Sequence, residues 1–275
     1  MKFQLKALAA AVVLAAAVPA QAAITFSSTG NSELSLAVFD RVNNVSALFD
    51  LGKSYSDFTV IGSSFADSNV DAVGTNFSWD LTTGDYATAW TTFLSLANPA
   101  SLQFAVVGGD NNAGTAVGNK GIISTLNGSL VPVTNSALLA QLAGWDTYLA
   151  EAQAPSGTIY ENHTLVANGA SVGNSGKANT LGYFGLVDAN NGAGSVTVGT
   201  IGQSLSVFQQ VSGPSAFAIG ASTVFANNAS FTLTANGLLT YATNDPVVVV
   251  PEADTWAMML LGLGFMGFAA RRKQA

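Results

Sequence analysis

Apolar and polar positions alternate along much of this chain. From Glu33 to Asp40, Leu34, Leu36 and Val38 take turns with Glu33, Ser35 and Ala37, the two-residue period of a half-buried strand. Ile24 to Thr29 reads as a strand before it, across Gly30-Asn31, and Val45 to Leu51 follows Asn43-Asn44. Asp57 to Ile61, Asn76 to Leu81, Leu102 to Val107 and Gly121 to Leu126 read as further strands, with Gly108 to Asn112 as a loop. After Gly157 come Thr158 to Val166, Thr180 to Val187, Ser195 to Ile201, Ser204 to Val211, Ala216 to Ile219 and Ser222 to Phe225. Ser230 to Thr234 and Leu238 to Ala242 flank Ala235-Asn236-Gly237, and Asn-Gly between alternating runs signals a hairpin.

Two stretches switch to a helical period. Tyr86, Ala89, Trp90, Phe93 and Leu94 recur at that spacing within Asp85 to Ala97, with Asp85 as cap and Pro99 beyond the end. Leu138, Leu139, Leu142, Trp145, Leu149 and Ala152 make one apolar stripe along Asn135 to Ala152. Thr134 or Asn135 caps it, and Pro155 ends it. Many short strands, Gly/Asn turns and about two short helices predict a mainly β fold, an antiparallel β-sandwich.

The two ends break this pattern. Lys2 and Lys6 precede an apolar run from Ala7 to Val18, then Pro19 and Ala20-Gln21-Ala22. That is the build of a signal peptide over residues 1–22, with cleavage after Ala22 directed by Ala20 and Ala22. Its readers are the Sec translocase and signal peptidase. At the other end, Trp256 to Ala270 is 15 residues without a charge, bordered by Arg271, Arg272 and Lys273. As a helix this run reaches about 22 Å, short of a hydrocarbon core of about 30 Å. Asp254 and Thr255 at its start and snorkelling Arg and Lys stems lengthen the effective span, giving a transmembrane helix over 254–270. The basic triplet acts as a cytoplasmic membrane stop. Residues 23–243 are then the exported domain, 244–250 a linker and 251–275 an address.

That last region resembles the PEP-CTERM sorting signal of Gram-negative bacteria. The matching residues are Val250-Pro251-Glu252, Trp256-Ala257, Leu261-Gly262-Leu263-Gly264, Gly267 to Ala270 and the basic triplet. Ala253 stands where the pattern has a second Pro. The resemblance implies that Pro251 and Glu252 are the sorting motif. It implies that an exosortase, a membrane-embedded cysteine transpeptidase, cleaves near it and passes the protein to the surface. This chain is then the substrate of that reaction, held transiently at the inner membrane and delivered to the cell surface or beyond. Ser32 to Asp40 and Asp50-Leu51-Gly52 also resemble the opening of many such cargo proteins, a similarity that implies no activity.

Composition narrows the function classes. The chain is 49% hydrophobic and only 9% charged. Between the two signals, Arg41, Lys53, Lys120 and Lys177 face 14 carboxylates, a balance of −10. Such a surface repels phosphate backbones, so nucleic acid is not an expected partner. There is no cysteine, which removes disulfides, thiol catalysis and thiolate metal sites. The supply of Phe, Val, Ile and Thr is that of a folded chain.

Candidate chemistry is sparse. His163 is the one histidine, and no G-x-S-x-G elbow accompanies it. Asp110-Asn111-Asn112 and Asp188-Ala189-Asn190-Asn191-Gly192 place oxygen ligands in short loops, so Asp110, Asp188 and Asn190 are calcium candidates. Neither loop follows the EF-hand pattern, and turn residues are the simpler account. Glu33, Glu151 and Glu161 offer no carboxylate pair that sequence can locate. Asn-x-Ser/Thr occurs at Asn44, Asn76, Asn127, Asn162 and Asn228. No metal or cofactor is expected.

Three functions follow. The first is a structural or adhesive surface protein working among exopolysaccharide or biofilm matrix, with no catalysis. The second is a carbohydrate-binding protein or hydrolase on a β-sandwich, which a cleft with paired carboxylates or an aromatic platform would favour. A flat surface covered by Thr, Ser and Asn favours the first. The third is ice binding, which needs a regular threonine array that Thr197, Thr200, Thr232 and Thr234 do not make.

Overall fold

The alternating stretches pair into one antiparallel sheet. A computed structural model describes residues 24–62, 65–112, 114, 116–153, 164–165, 170–174, 183–185 and 195–244. The chain divides into two compact units, Met1–Asn244 and Asp245–Ala275, and every described residue lies in the first. The strands are β1 Glu33–Asp40, β2 Val45–Ser54, β3 Asn76–Asp80, β4 Leu102–Asn111, β5 Lys120–Leu126, β6 Thr164–Leu165, β7 Ser171–Asn174, β8 Gly199–Thr200, β9 Ser204–Val211, β10 Ser222–Val224, β11 Ser230–Leu233 and β12 Leu238–Ala242. Two α-helices accompany them, α1 Ala87–Leu96 and α2 Asn135–Ala152.

The strand order is β3-β12-β11-β9-β5-β4-β1-β2-β7-β6, with β10 on β9 and β8 on β4. Turn chemistry sets the local hairpins. Asn44, at φ 55°, lets β1 turn into β2, and Gly237, at φ 81°, lets β11 turn into β12. The sheet is curled. Trp79 on β3, at one edge, donates its indole N–H to the Leu51 carbonyl near the other end of the path, at 2.8 Å.

Each face carries its own apolar cluster. On the inner face Leu36, Phe49, Phe231 and Tyr241 pack with Phe58 and with Trp90 and Phe93 of α1. On the outer face Phe39, Ile122 and Phe208 pack with Leu138, Leu142 and Trp145 of α2. Phe184 closes this second cluster against Phe39, Trp145 and Tyr148.

The mainly β, antiparallel character and the two helices match the sequence reading. The β-sandwich is corrected to a single curled sheet, a half-barrel. Alternation shows that a strand has two faces; it does not say whether a second sheet or a helix covers them. Here helices and loop segments do so. For the same reason β1 is not half-buried: it is buried from Leu34 to Asp40, because α2 covers the face that holds Ala37.

Other boundaries shift. Ser27–Thr29 is a single 3-10 turn where a strand is expected, and Tyr55–Phe58 is another where Asp57 to Ile61 is expected to extend. β4 runs through Gly108 to Asn111, the expected loop. A Cβ at Gly108 would meet Leu34 Cδ1 at 2.7 Å, and one at Gly109 would meet Leu142 Cδ2 at 2.6 Å. The two glycines are where both layers press on the strand, not where the chain turns. Only Gly199–Thr200 of Ser195 to Ile201 is strand, and Ala216 to Ile219 is a loop touching Thr134 through one bridge at Ile219. Asp85 lies in a 3-10 turn before α1 and caps nothing, whereas Thr134 caps α2 as expected. Most of Thr158 to Val166 and Thr180 to Val187 lies outside the described residues, as do the signal helix over 1–22 and the stretch 254–270. Among the described residues no helix is long and apolar enough to cross a membrane.

Candidate functional site

The outer face is covered over only part of its width. Helix α2 packs on strands β1, β2, β4, β5 and β9, and its cluster draws nothing from β11, β12 or β3. On that bare side the inward positions are apolar: Phe231, Leu233, Leu239 and Tyr241. The outward positions are mostly short and polar, with Ala242 and Leu238 as the apolar exceptions. Register aligns Ser78, Thr240, Thr232 and Ser204 in one row across β3, β12, β11 and β9. A second row holds Asn76, Ala242, Ser230 and Ser206. Leu238 and Asp80 begin a third. All ten are at least partly exposed, and Asp80 is the one charge among them.

Neighbours in a row stand about 4.8 Å apart, and the rows about 6.8 Å apart along each strand. A solvated antiparallel face ordinarily mixes charged residues into its polar positions. This one presents hydroxyls, which both donate and accept. Of the threonines considered for ice binding, Thr232 belongs to these rows. Thr197 is buried, Thr200 lies on β8 and Thr234 in the turn before Leu238. Thr240, Ser78 and Ser204 complete a row that spacing along the chain does not reveal.

A cleft of about 320 Å³ lies at the start of α2. Asn135 builds its wall: its amide nitrogen donates to the carbonyls of Gly213 and Ser215, and its oxygen accepts the Gly213 N–H. Leu138, Leu139, Pro214 and Ala216 make the lining apolar, with Lys120 and Ser212 beside them. No carboxylate or imidazole lines it among the described residues. The N–H groups of Asn135, Ser136 and Ala137 are already bonded to Ala218 O, Ala216 O and Thr134 Oγ1, so the helix start presents no open anion site.

Four acidic residues, Glu33, Asp40, Asp50 and Asp110, are held by hydrogen bonds within the fold. Glu33 accepts the backbone N–H and hydroxyl of Thr25. Asp40 is buried, which acts to raise its pKa. Hydrogen bonds from the Ser101 hydroxyl and the N–H groups of Asn98, Val42 and Asn43 outweigh that and hold it below the usual carboxylate value. Asp50 is pushed up to about 6 by burial, against a hydrogen bond from Gly52 N–H and with help from the Glu33 charge. Asp110, a calcium candidate, is buried at the end of β4 and accepts the Asn112 N–H at 3.0 Å, an Asx turn. Among the described residues no three His, Cys, Asp or Glu side chains gather.

Asp188, Asn190, His163 and Glu161 lie outside the described residues, as do Ala20, Ala22, Pro251, Glu252, Arg271, Arg272 and Lys273. Glu151 sits in the last turn of α2. Of the Asn-x-Ser/Thr sites, Asn76 and Asn228 are exposed and Asn44 is partly so. The Asn127 side chain is occupied by Val198 O and the Gln203 amide, and Asn162 is outside the described residues.

Comparison with known proteins gives one match. The model of the PEP-CTERM protein-sorting motif matches residues 249–273. No curated protein and no solved structure matches the chain. The matched segment begins two residues before Pro251-Glu252 and ends on Lys273, the last residue of the basic triplet. The chain therefore carries a PEP-CTERM protein-sorting motif at residues 249–273, and that motif implies an exported protein sorted to the cell surface and processed by an exosortase.

Proposed function

We propose that this is a structural or adhesive protein of the cell surface or extracellular matrix, without catalytic activity. The observation that carries the reading is the outward face of β3, β12, β11 and β9. It is a surface mainly of Ser, Thr and Asn with Asp80 as its one charge, on a domain whose balance of charge is −10. Enzyme sites gather titratable groups in a concave pocket. The cleft at α2 is largely apolar, and among the described residues Lys120 is the one titratable group that lines it. Glu33 and Asp40 are engaged in backbone hydrogen bonds that fix the fold. In this reading the signal peptide and the sorting motif deliver the domain, and the hydroxyl face meets the matrix.

Cell fractionation tests it. The wild type is expected in the surface-matrix fraction, and Glu252→Ala is expected at the inner membrane. Recovery of the wild type as a freely soluble protein in the culture medium, absent from the surface, contradicts an adhesive role.

A further inference from the structure

We propose that the hydroxyl face docks an electrically neutral polysaccharide chain laid flat across β9, β11, β12 and β3. The inference deepens the surface reading above by naming the partner of that face. Three observations lead to it.

The first is the array itself. Ser78, Thr240, Thr232 and Ser204 are consecutive cross-strand partners, so four hydroxyls repeat at the strand spacing of about 4.8 Å. A hydroxyl carries one donor and two acceptor lone pairs. Thr240 donates its own to the Thr232 carbonyl at 3.4 Å and keeps its lone pairs to accept. The row as a whole therefore both donates to and accepts from a partner made of hydroxyls, which is what a sugar chain presents along its whole length.

The second is charge. The two complete rows hold no ionisable side chain, and Asp80 stands at the corner of the third. An anionic polymer finds no cation here and is repelled by a domain carrying −10. A protein partner is anchored by buried aromatic or Arg side chains at the centre of its interface. This face offers one large apolar side chain, Leu238, at its margin.

The third is rigidity. β11 and β12 are hydrogen-bonded on both sides, and Phe231 and Tyr241 lock them from beneath with ring centroids 5.0 Å apart. Short side chains on a fixed backbone lose little freedom on contact. Each hydroxyl contact is weak, so retention comes from many contacts along one polymer, and a single sugar does not compete.

The test uses the full-length chain, purified, with crystalline cellulose as the neutral probe and an alginate gel as the acidic one. Wild type is expected to sediment with cellulose and not with alginate, and millimolar glucose is expected not to release it. Thr232→Ala with Thr240→Ala is expected to weaken binding roughly tenfold, since two hydroxyl contacts are lost. Thr232→Ser with Thr240→Ser keeps the hydroxyls and is expected to bind as wild type does. Phe217→Ser, on an exposed loop that is not part of the face, is a control expected to change nothing. Thermal melting of each variant checks the fold. No retention of wild type on cellulose overturns the proposal. So does equal retention on alginate, or unchanged retention of the double alanine variant. Inhibition of ice recrystallisation without retention on cellulose assigns the face to ice and also overturns it. A chain that binds cellulose yet stays at the inner membrane of the cell leaves this inference standing and removes the surface reading.

Discussion

Two adjacent glutamines tie both layers to the sheet. Gln209 points inward: its oxygen accepts the N–H groups of Val60 and Ile61, and its amide donates to the Tyr55 hydroxyl. Gln210 points outward and bonds both backbone groups of Val133, just before α2. Gly121 lies beside this pair. A methyl there would stand 2.0 Å from the Tyr55 hydroxyl and 3.1 Å from the Gln210 carbonyl. Gly121→Ala is expected to cost about 1–3 kcal/mol, read from chemical denaturation, because neither neighbour has room to move. An unchanged midpoint contradicts that close approach.

Asp50 makes a second test at this scale. Its Oδ2 is buried without a protein partner among the described residues, and its pKa is raised from 3.8 to about 6. Between those values the folded chain keeps a proton that the unfolded chain has released. Stability contributed by Asp50 is thus present at low pH and lost as pH rises through about 6. Asp50→Asn keeps the acceptor for Gly52 N–H and removes the buried charge. Relative to wild type it is expected to gain on the order of 2 kcal/mol between pH 4 and pH 7. A difference between the two proteins that does not vary with pH contradicts this account of Asp50.

At the scale of elements, α2 depends on its entrance. Thr134 caps it, and Asn135 spends its whole amide on the 213–215 turn. Asn135→Ala is expected to cost about 1–3 kcal/mol by leaving buried backbone groups unpaired. Hydrogen exchange should rise first at Gly213 and Ser136, and uniform exchange across the domain contradicts a local lock. Elements of this kind were legible in the sequence. α2, β9 and β12 match their expected limits because period, cap and turn residues agree. Gly108-Gly109 misled, because a glycine pair reads as a turn whether it bends the chain or admits Leu34 and Leu142. Ser35 and Ala37 suggested solvent, although small side chains serve equally well beneath a helix. The polar positions of β3, β9, β11 and β12 were visible too. Their alignment was not, since pairing β9 with both β5 and β11 is a tertiary choice that no local pattern encodes.

At the scale of the whole molecule, one curled sheet spends its faces differently. The inner face and half of the outer face build the core, under α1 and α2, while the other half stays bare and nearly uncharged. The same chain carries a PEP-CTERM sorting motif that holds a Pro-Glu pair, an apolar run and a basic triplet. The domain is in this account the cargo and the motif its route. The most direct measurement is the C-terminal mass of the protein recovered from outside the inner membrane. The account predicts a chain that ends near Pro251-Glu252 and lacks Arg271 to Ala275, with Glu252→Ala retaining them. Surface protein that still carries Arg271 to Ala275 contradicts it.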